Sequence, residues 1–385
     1  MKVFFTGMEW FPECQVGGLD RYFYEEIQAF AAEGIEGNAL LSWCEPTRIA
    51  SIAVSAMAPR GAPLLDRWKG VSRQANEILA HGVDAVNTHF ALYAFPWVHR
   101  IPKGVPLIVN FQGPWAEEMV IQSKGWKARL RSIVARRIER KVYRRADRVI
   151  TLSNAFRDLI HRDYGVALSA IRVVPGASHL ASYLAAPPRQ EARARLGWPS
   201  DRPILLSVRR LARRMGLELL IDAIAFAKRD FPNLLLFIGG KGPEAESLRM
   251  RIQRQGVQEN VRLQGFISEE NLPLAYAAAD CTVVPTAALE GFGLISVESL
   301  ASGTPVLGTR VCATPEILEP FSPQTLFDDV SAEAMADKIR LVLSREIVLP
   351  GPTECRRYAL RYGWPAVVPR LMEVYHEAIE ECKNR

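Results

Sequence analysis

The sequence predicts an α/β protein of two parallel-sheet domains facing each other across a cleft, and three observations carry that expectation. The chain has 385 residues, more than one core usually organises and enough for two domains of ordinary size. Short apolar or β-branched runs alternate with longer helical patterns in both halves, the mark of βαβ units. A Pro- and Ala-rich stretch at 179–188 separates the halves.

The elements follow in order. In the first half, strands are expected at 2–7, 37–41, 85–89, 107–111, 148–152 and 171–174, with helices between most of them, the first over 22–32. A short helix at 189–196 leads into the second half. There, strands are expected at 203–207, 234–239, 261–265, 281–285 and 304–309, separated by helices at 217–229, 243–255, 272–278 and 292–302. The domains are therefore read as 1–180 and 181–360, with 361–385 a terminal helix packing back on the first domain. Open parallel sheets bind ligands at the carboxyl ends of their strands, so functional motifs belong at strand-to-helix turns.

Composition narrows the class. With 49% hydrophobic and 23% charged residues the chain can bury two cores, which excludes disorder throughout. The apolar run at the amino terminus is broken by Glu9, too early for a secretory signal, and no stretch of about 18 apolar residues follows, so a cytoplasmic location is expected. Cys14, Cys44, Cys281, Cys312, Cys355 and Cys382 are scattered without metal-ligand spacing and read as buried thiols. The segment 124–148 holds eleven lysines and arginines against Glu139 and Asp147, while Trp126, Leu130, Ile133, Val134, Ile138, Val142 and Tyr143 recur at helical spacing. That basic amphipathic helix suits an anionic membrane surface, at the inner face of the membrane, or equally a core-packed helix with a solvated face. No recognition motif accompanies the charge, so nucleic acid is not predicted as a partner.

The strongest motif, PTAALEGFGLISVE at 285–298, follows a strand and opens a helix. Gly291 and Gly293 allow close backbone approach, and the helix amino terminus offers unpaired N–H groups. Carboxylates accept from vicinal hydroxyls, so Glu290 and Glu298 suit a sugar and a ribose. A second turn, SVRRLARRMG at 207–216, supplies the fixed positive charge that a departing diphosphate needs.

These motifs resemble the retaining family 4 glycosyltransferases of the GT-B fold, which has two Rossmann-like domains. The signature is E-x7-E between a P-[ST] turn and a helix ending G-x-P-V, here Gly303-Thr304-Pro305-Val306. The likeness extends to GGLDR at 17–21, RRADRVITLS at 144–153 and IRVVPG at 171–176. It implies that Glu290 contacts the transferred sugar and Glu298 the ribose. Phe292, Gly293 and neighbouring Leu294 would line the donor.

The family pattern G-R-L-x-x-x-K-G puts its arginine at Arg210 and its lysine at Met215. Methionine cannot neutralise phosphate, so Arg214 is the expected replacement. Gly17 and Gly18 are candidates to approach the diphosphate or the acceptor, and Gln264 or Phe266 to border the base. The turn at 239–243, with Lys241, resembles the family's G-x-G-P turn. Gln112 stands where relatives often carry histidine, and it and His89 are candidate acceptor or sugar contacts. No D-x-D lies at a strand end, so no metal is expected; the donor is a nucleotide-diphosphate sugar and the acceptor a glycan or lipid-linked sugar. A silent nucleotide-sugar binder, or a sugar-nucleotide epimerase on the same architecture, remains the alternative.

Overall fold

The computed structural model describes residues 1–11, 13–14, 18–122 and 125–385. The chain divides into two units, Met1–Ala177 joined by Trp364–Arg385, and Ser178–Gly363. The first unit carries strands β1 (Lys2–Thr6), β2 (Glu36–Leu41), β3 (Thr47–Ile49), β4 (Ile52–Ala56), β5 (Ala85–Thr88), β6 (Leu107–Phe111), β7 (Arg148–Thr151) and β8 (Ile171–Val173). They form one sheet in the order β3-β4-β2-β1-β5-β6-β7-β8, parallel except for the β3–β4 pair. The second unit carries β9 (Ile204–Val208), β10 (Leu235–Gly239), β11 (Val261–Gly265), β12 (Cys281–Val284) and β13 (Val306–Gly308), ordered β11-β10-β9-β12-β13 and parallel throughout.

Central strands such as β1 and β6 are mostly apolar and, Lys2 apart, buried, because helices cover both faces of a parallel sheet. The antiparallel β3–β4 edge has no counterpart in the sequence reading. Its first strand is three residues long and partly exposed, too short to print an alternation of polar and apolar side chains.

In the second unit, the helix Leu217–Ala227 packs Leu220, Ile221 and Ile224 into a core shared with Met335 and Ile339 of the helix Ala332–Leu343. Met215 lies buried in that same core.

The last helix, Trp364–Lys383, belongs to the first unit. Trp364 Nε1 donates to Glu25 at 2.9 Å, and Arg172 Nε donates to Glu377 at 2.8 Å. The Arg172 and Arg148 guanidinium groups hold the Glu377 carboxyl well down, at about 2.

The basic segment forms the helix Trp126–Arg145, with Arg148 already in β7; Lys124 lies outside the described residues. The helix is exposed along its first half and packed into the core along its second. Ala135, Ile138, Glu139, Val142 and Tyr143 are buried, whereas Trp126 is 71% exposed and Leu130, Ile133 and Val134 stand at 50% or more. Glu139 is sealed in the buried half, where Tyr164 donates to it at 2.8 Å, Tyr143 at 3.3 Å and the amide of Ala116 at 3.4 Å. Burial outweighs these donors and pushes its carboxyl up to about 7. Among the described residues, no helix is long and apolar enough to cross a membrane.

Candidate donor site

In the second unit β9 is flanked by β10 on one side and β12 on the other, so the chain leaves this sheet in opposite directions from neighbouring strands. The turns after β9 and β12 therefore meet at their carboxyl ends. Contact between them is intimate. The amides of Ala287 and Ala288 donate to the carbonyl of Arg214 at 2.9 and 3.2 Å. Gly216, at φ +70°, passes so close that a Cβ there would lie 1.8 Å from the carbonyl oxygen of Pro285. Only glycine fits, on both steric and conformational grounds.

The turn that follows β12 delivers Glu290 and then the helix Leu294–Ala301. Gly293 caps that helix at φ +89°, a left-handed conformation that favours glycine, and leaves the helix's first amides without intrahelical partners. Phe292 is buried edge-to-face against Tyr362, with ring centroids 5.4 Å apart. Gly291 and Leu294 are half-buried beside it. Glu298, one turn along the helix, is buried and accepts from the Tyr276 hydroxyl at 3.0 Å.

Arg209, which the sequence reading did not single out, reaches Glu290: its guanidinium bonds Glu290 Oε2 and the Thr286 hydroxyl, and its side chain is only 4% exposed. Arg210 is exposed. The physical cause is the pleat, since consecutive residues leaving β9 point to opposite sides and the Arg209 amide still bonds Gly239 of β10 at 2.8 Å. The Arg214 Nη1 donates to the carbonyl of Leu289 at 2.6 Å, steadying a non-glycine residue at φ 53°. A signal for Arg209 was present in the motif, because the pattern that lacks its lysine at Met215 also carries arginine in place of its glycine.

The turn after β10 closes against the one after β9, with the Leu211 amide donating to Lys241 at 3.0 Å. Lys241 is exposed and stands 5.3 Å from the centre of the Phe266 ring, while Gln264 is exposed on β11.

At the carboxyl ends of β5 and β6 in the first unit, His89 is buried rather than open to a ligand. Its Nε2 lies 2.6 Å from Glu26 Oε2 and 2.7 Å from the Asn110 amide, and Phe23 packs edge-on against the ring. Its Nδ1 and the Gln112 Nε2 are buried without a protein partner among the described residues. Gln112 itself is half-buried. Gly17 lies outside the described residues. Gly18 opens the helix Gly18–Ala32, and a Cβ there would meet nothing within 4 Å, so no close approach by the protein itself demands glycine.

The model of the glycosyltransferase family 4 matches residues 16–180 and that of glycosyl transferases group 1 matches residues 188–361. The D-inositol 3-phosphate glycosyltransferase 1 of Catenulispora acidiphila is 26% identical over 96% of this chain and 93% of its own. Sucrose-phosphate synthase of Thermosynechococcus elongatus superposes with a TM-score of 0.79 at 22% identity, over 98% of each chain. HepE of Anabaena, solved with UDP and glucose, superposes at 0.75 and 18% identity, covering 98% of this chain and all of its own. The fold is GT-B, with two Rossmann-like parallel-sheet domains. The chain belongs to the group 1, family 4 glycosyltransferases.

Proposed function

We propose that this glycosyltransferase moves a hexose from a nucleotide-diphosphate sugar to a glycan or lipid-linked acceptor, with retention at the anomeric carbon and without a metal ion. The observation that carries the reading is the Glu290 carboxylate, fixed at the mouth of the turn after β12 and beside the arginine-rich turn after β9. Glu290 takes the sugar hydroxyls and Glu298 the ribose. Exposed Arg210 takes the charge of the leaving diphosphate, while Arg214 holds the loop.

A carboxylate already matched by a buried guanidinium is a weak nucleophile, which supports a front-face displacement over a covalent sugar–enzyme intermediate. In that step the bond from the anomeric carbon to the diphosphate breaks and the bond to the acceptor oxygen forms. The acceptor proton leaves with the diphosphate. A surface polysaccharide or glycoconjugate is the acceptor class, reached through the exposed apolar and basic half of the helix Trp126–Arg145 on an anionic membrane face. The name of the Catenulispora relative adds inositol phosphate to the acceptors to be tried.

The test is release of UDP, GDP or ADP from a panel of nucleotide sugars in EDTA, with those acceptors and with membrane extract, followed by the anomeric configuration of the product. Wild type releases one nucleotide, and Glu290→Ala and Arg210→Ala do not. Loss of activity in EDTA refutes metal independence, and an inverted product refutes retention. Turnover of donor with no acceptor at all favours an epimerase.

A further inference from the structure

The pairing of Arg209 with Glu290 has a directional feature. Glu290 Oε2 accepts from two donors at once, the Arg209 guanidinium and the Thr286 hydroxyl, the latter at 3.0 Å. Thr286 is itself pinned, its hydroxyl bonded by Arg209 and its carbonyl accepting from the Thr309 hydroxyl at 2.7 Å. The Glu290 backbone carbonyl accepts from Ala313 at 3.3 Å. Among the described residues, none donates to Glu290 Oε1. One oxygen of the carboxylate is thus saturated by the protein and the other is left with its full accepting capacity.

Burying a guanidinium is costly unless it is paired and hydrogen-bonded, and ordinary surface turns do not carry such groups. Removing the arginine leaves Glu290, 8% exposed, with a single hydroxyl donor and no counter-charge. A carboxylate in that state rotates and draws water, and an acceptor aimed at two vicinal hydroxyls depends on its angle.

We infer that Arg209 is the positioning residue for the donor sugar: with Thr286 it locks one Glu290 oxygen so that the other, Oε1, faces the sugar hydroxyls in a single orientation. The inference rests on the reading of Glu290 as a sugar contact. It concerns binding, not transfer, so absence of turnover defeats the transferase reading while leaving the following measurement decisive.

Titration calorimetry compares UDP, GDP and ADP with their glucose and mannose esters, on wild type, Arg209→Met, Arg209→Lys, Thr286→Val, Glu290→Gln and the double variant Arg209→Met/Glu290→Gln. The wild type binds one nucleotide sugar more tightly than its nucleoside diphosphate. Arg209→Met abolishes that preference, with a loss on the order of a hundredfold in affinity for the sugar ester and little for the diphosphate. Lysine at 209 restores part of it, and Thr286→Val shows a smaller loss in the same direction. The Arg209→Met effect disappears on the Glu290→Gln background, because the arginine acts through that carboxylate. The inference is overturned if the wild type shows no preference for any sugar ester. It is equally overturned if Arg209→Met weakens diphosphate and sugar ester alike, or if its effect adds in full to that of Glu290→Gln.

Discussion

Glu139 gives the fold a pH dependence that can be isolated with one substitution. Its carboxyl, buried under Tyr143, Tyr164 and the Ala116 amide, titrates at about 7 against an ordinary 4.5. The native state therefore holds this proton where the unfolded chain has released it, and the linkage has a definite sign. Below the ordinary value both states are protonated and the site carries no penalty. Between that value and about 7 the penalty grows as pH rises, and above 7 it is constant.

At about 1.4 kcal/mol per unit of displacement, the full penalty is about 3 kcal/mol. Glu139→Gln keeps the size of the protonated group and removes the titration. Urea denaturation of both proteins at a series of pH values from 4.5 to 8 should give a stability difference that shifts toward the variant by about 3 kcal/mol as pH rises. Parallel profiles for the two proteins would refute the assignment of a buried, proton-holding carboxyl.

Two further outcomes separate residues that look alike in the sequence. Gly216→Ala forces a side chain onto φ +70° and against the Pro285 carbonyl, so it should lower stability by about 2 kcal/mol or more and weaken donor binding, whereas Gly18→Ala, with open space around it, should change thermal unfolding little. Flotation with anionic vesicles checks the exposed half of the basic helix: Trp126→Glu and Leu130→Glu should release the protein from the vesicles while leaving binding of the nucleotide sugar intact, and retention on the vesicles by both variants would remove the membrane role.

The alternation of β9, β10, β12 and their helices was legible because strand and helix periods are one-dimensional patterns, written wherever a segment has one buried face. Turn motifs at 207–216 and 285–298 were legible for a related reason, since glycines and charged residues at strand ends have no core to pack. The β3–β4 edge was not, for three residues hold too little pattern.

What the sequence left open was settled by partners distant along the chain. It pointed to Arg210 and Arg214 and passed over Arg209; the pleat leaving β9 and the adjacency of β12 turn Arg209 into the buried partner of Glu290, and the Leu289 carbonyl accepts from Arg214. It placed His89 at a strand end, and the helix Gly18–Ala32 covers that end with Glu26 and Phe23. It described one basic amphipathic helix, and packing against Tyr164 and Ala116 buries only the second half. Local periodicity determines which elements form, because each residue's preference acts through its immediate neighbours; which of several similar side chains is buried and paired is decided by tertiary packing, because a neighbouring strand supplies the burial and the opposite charge that single one out.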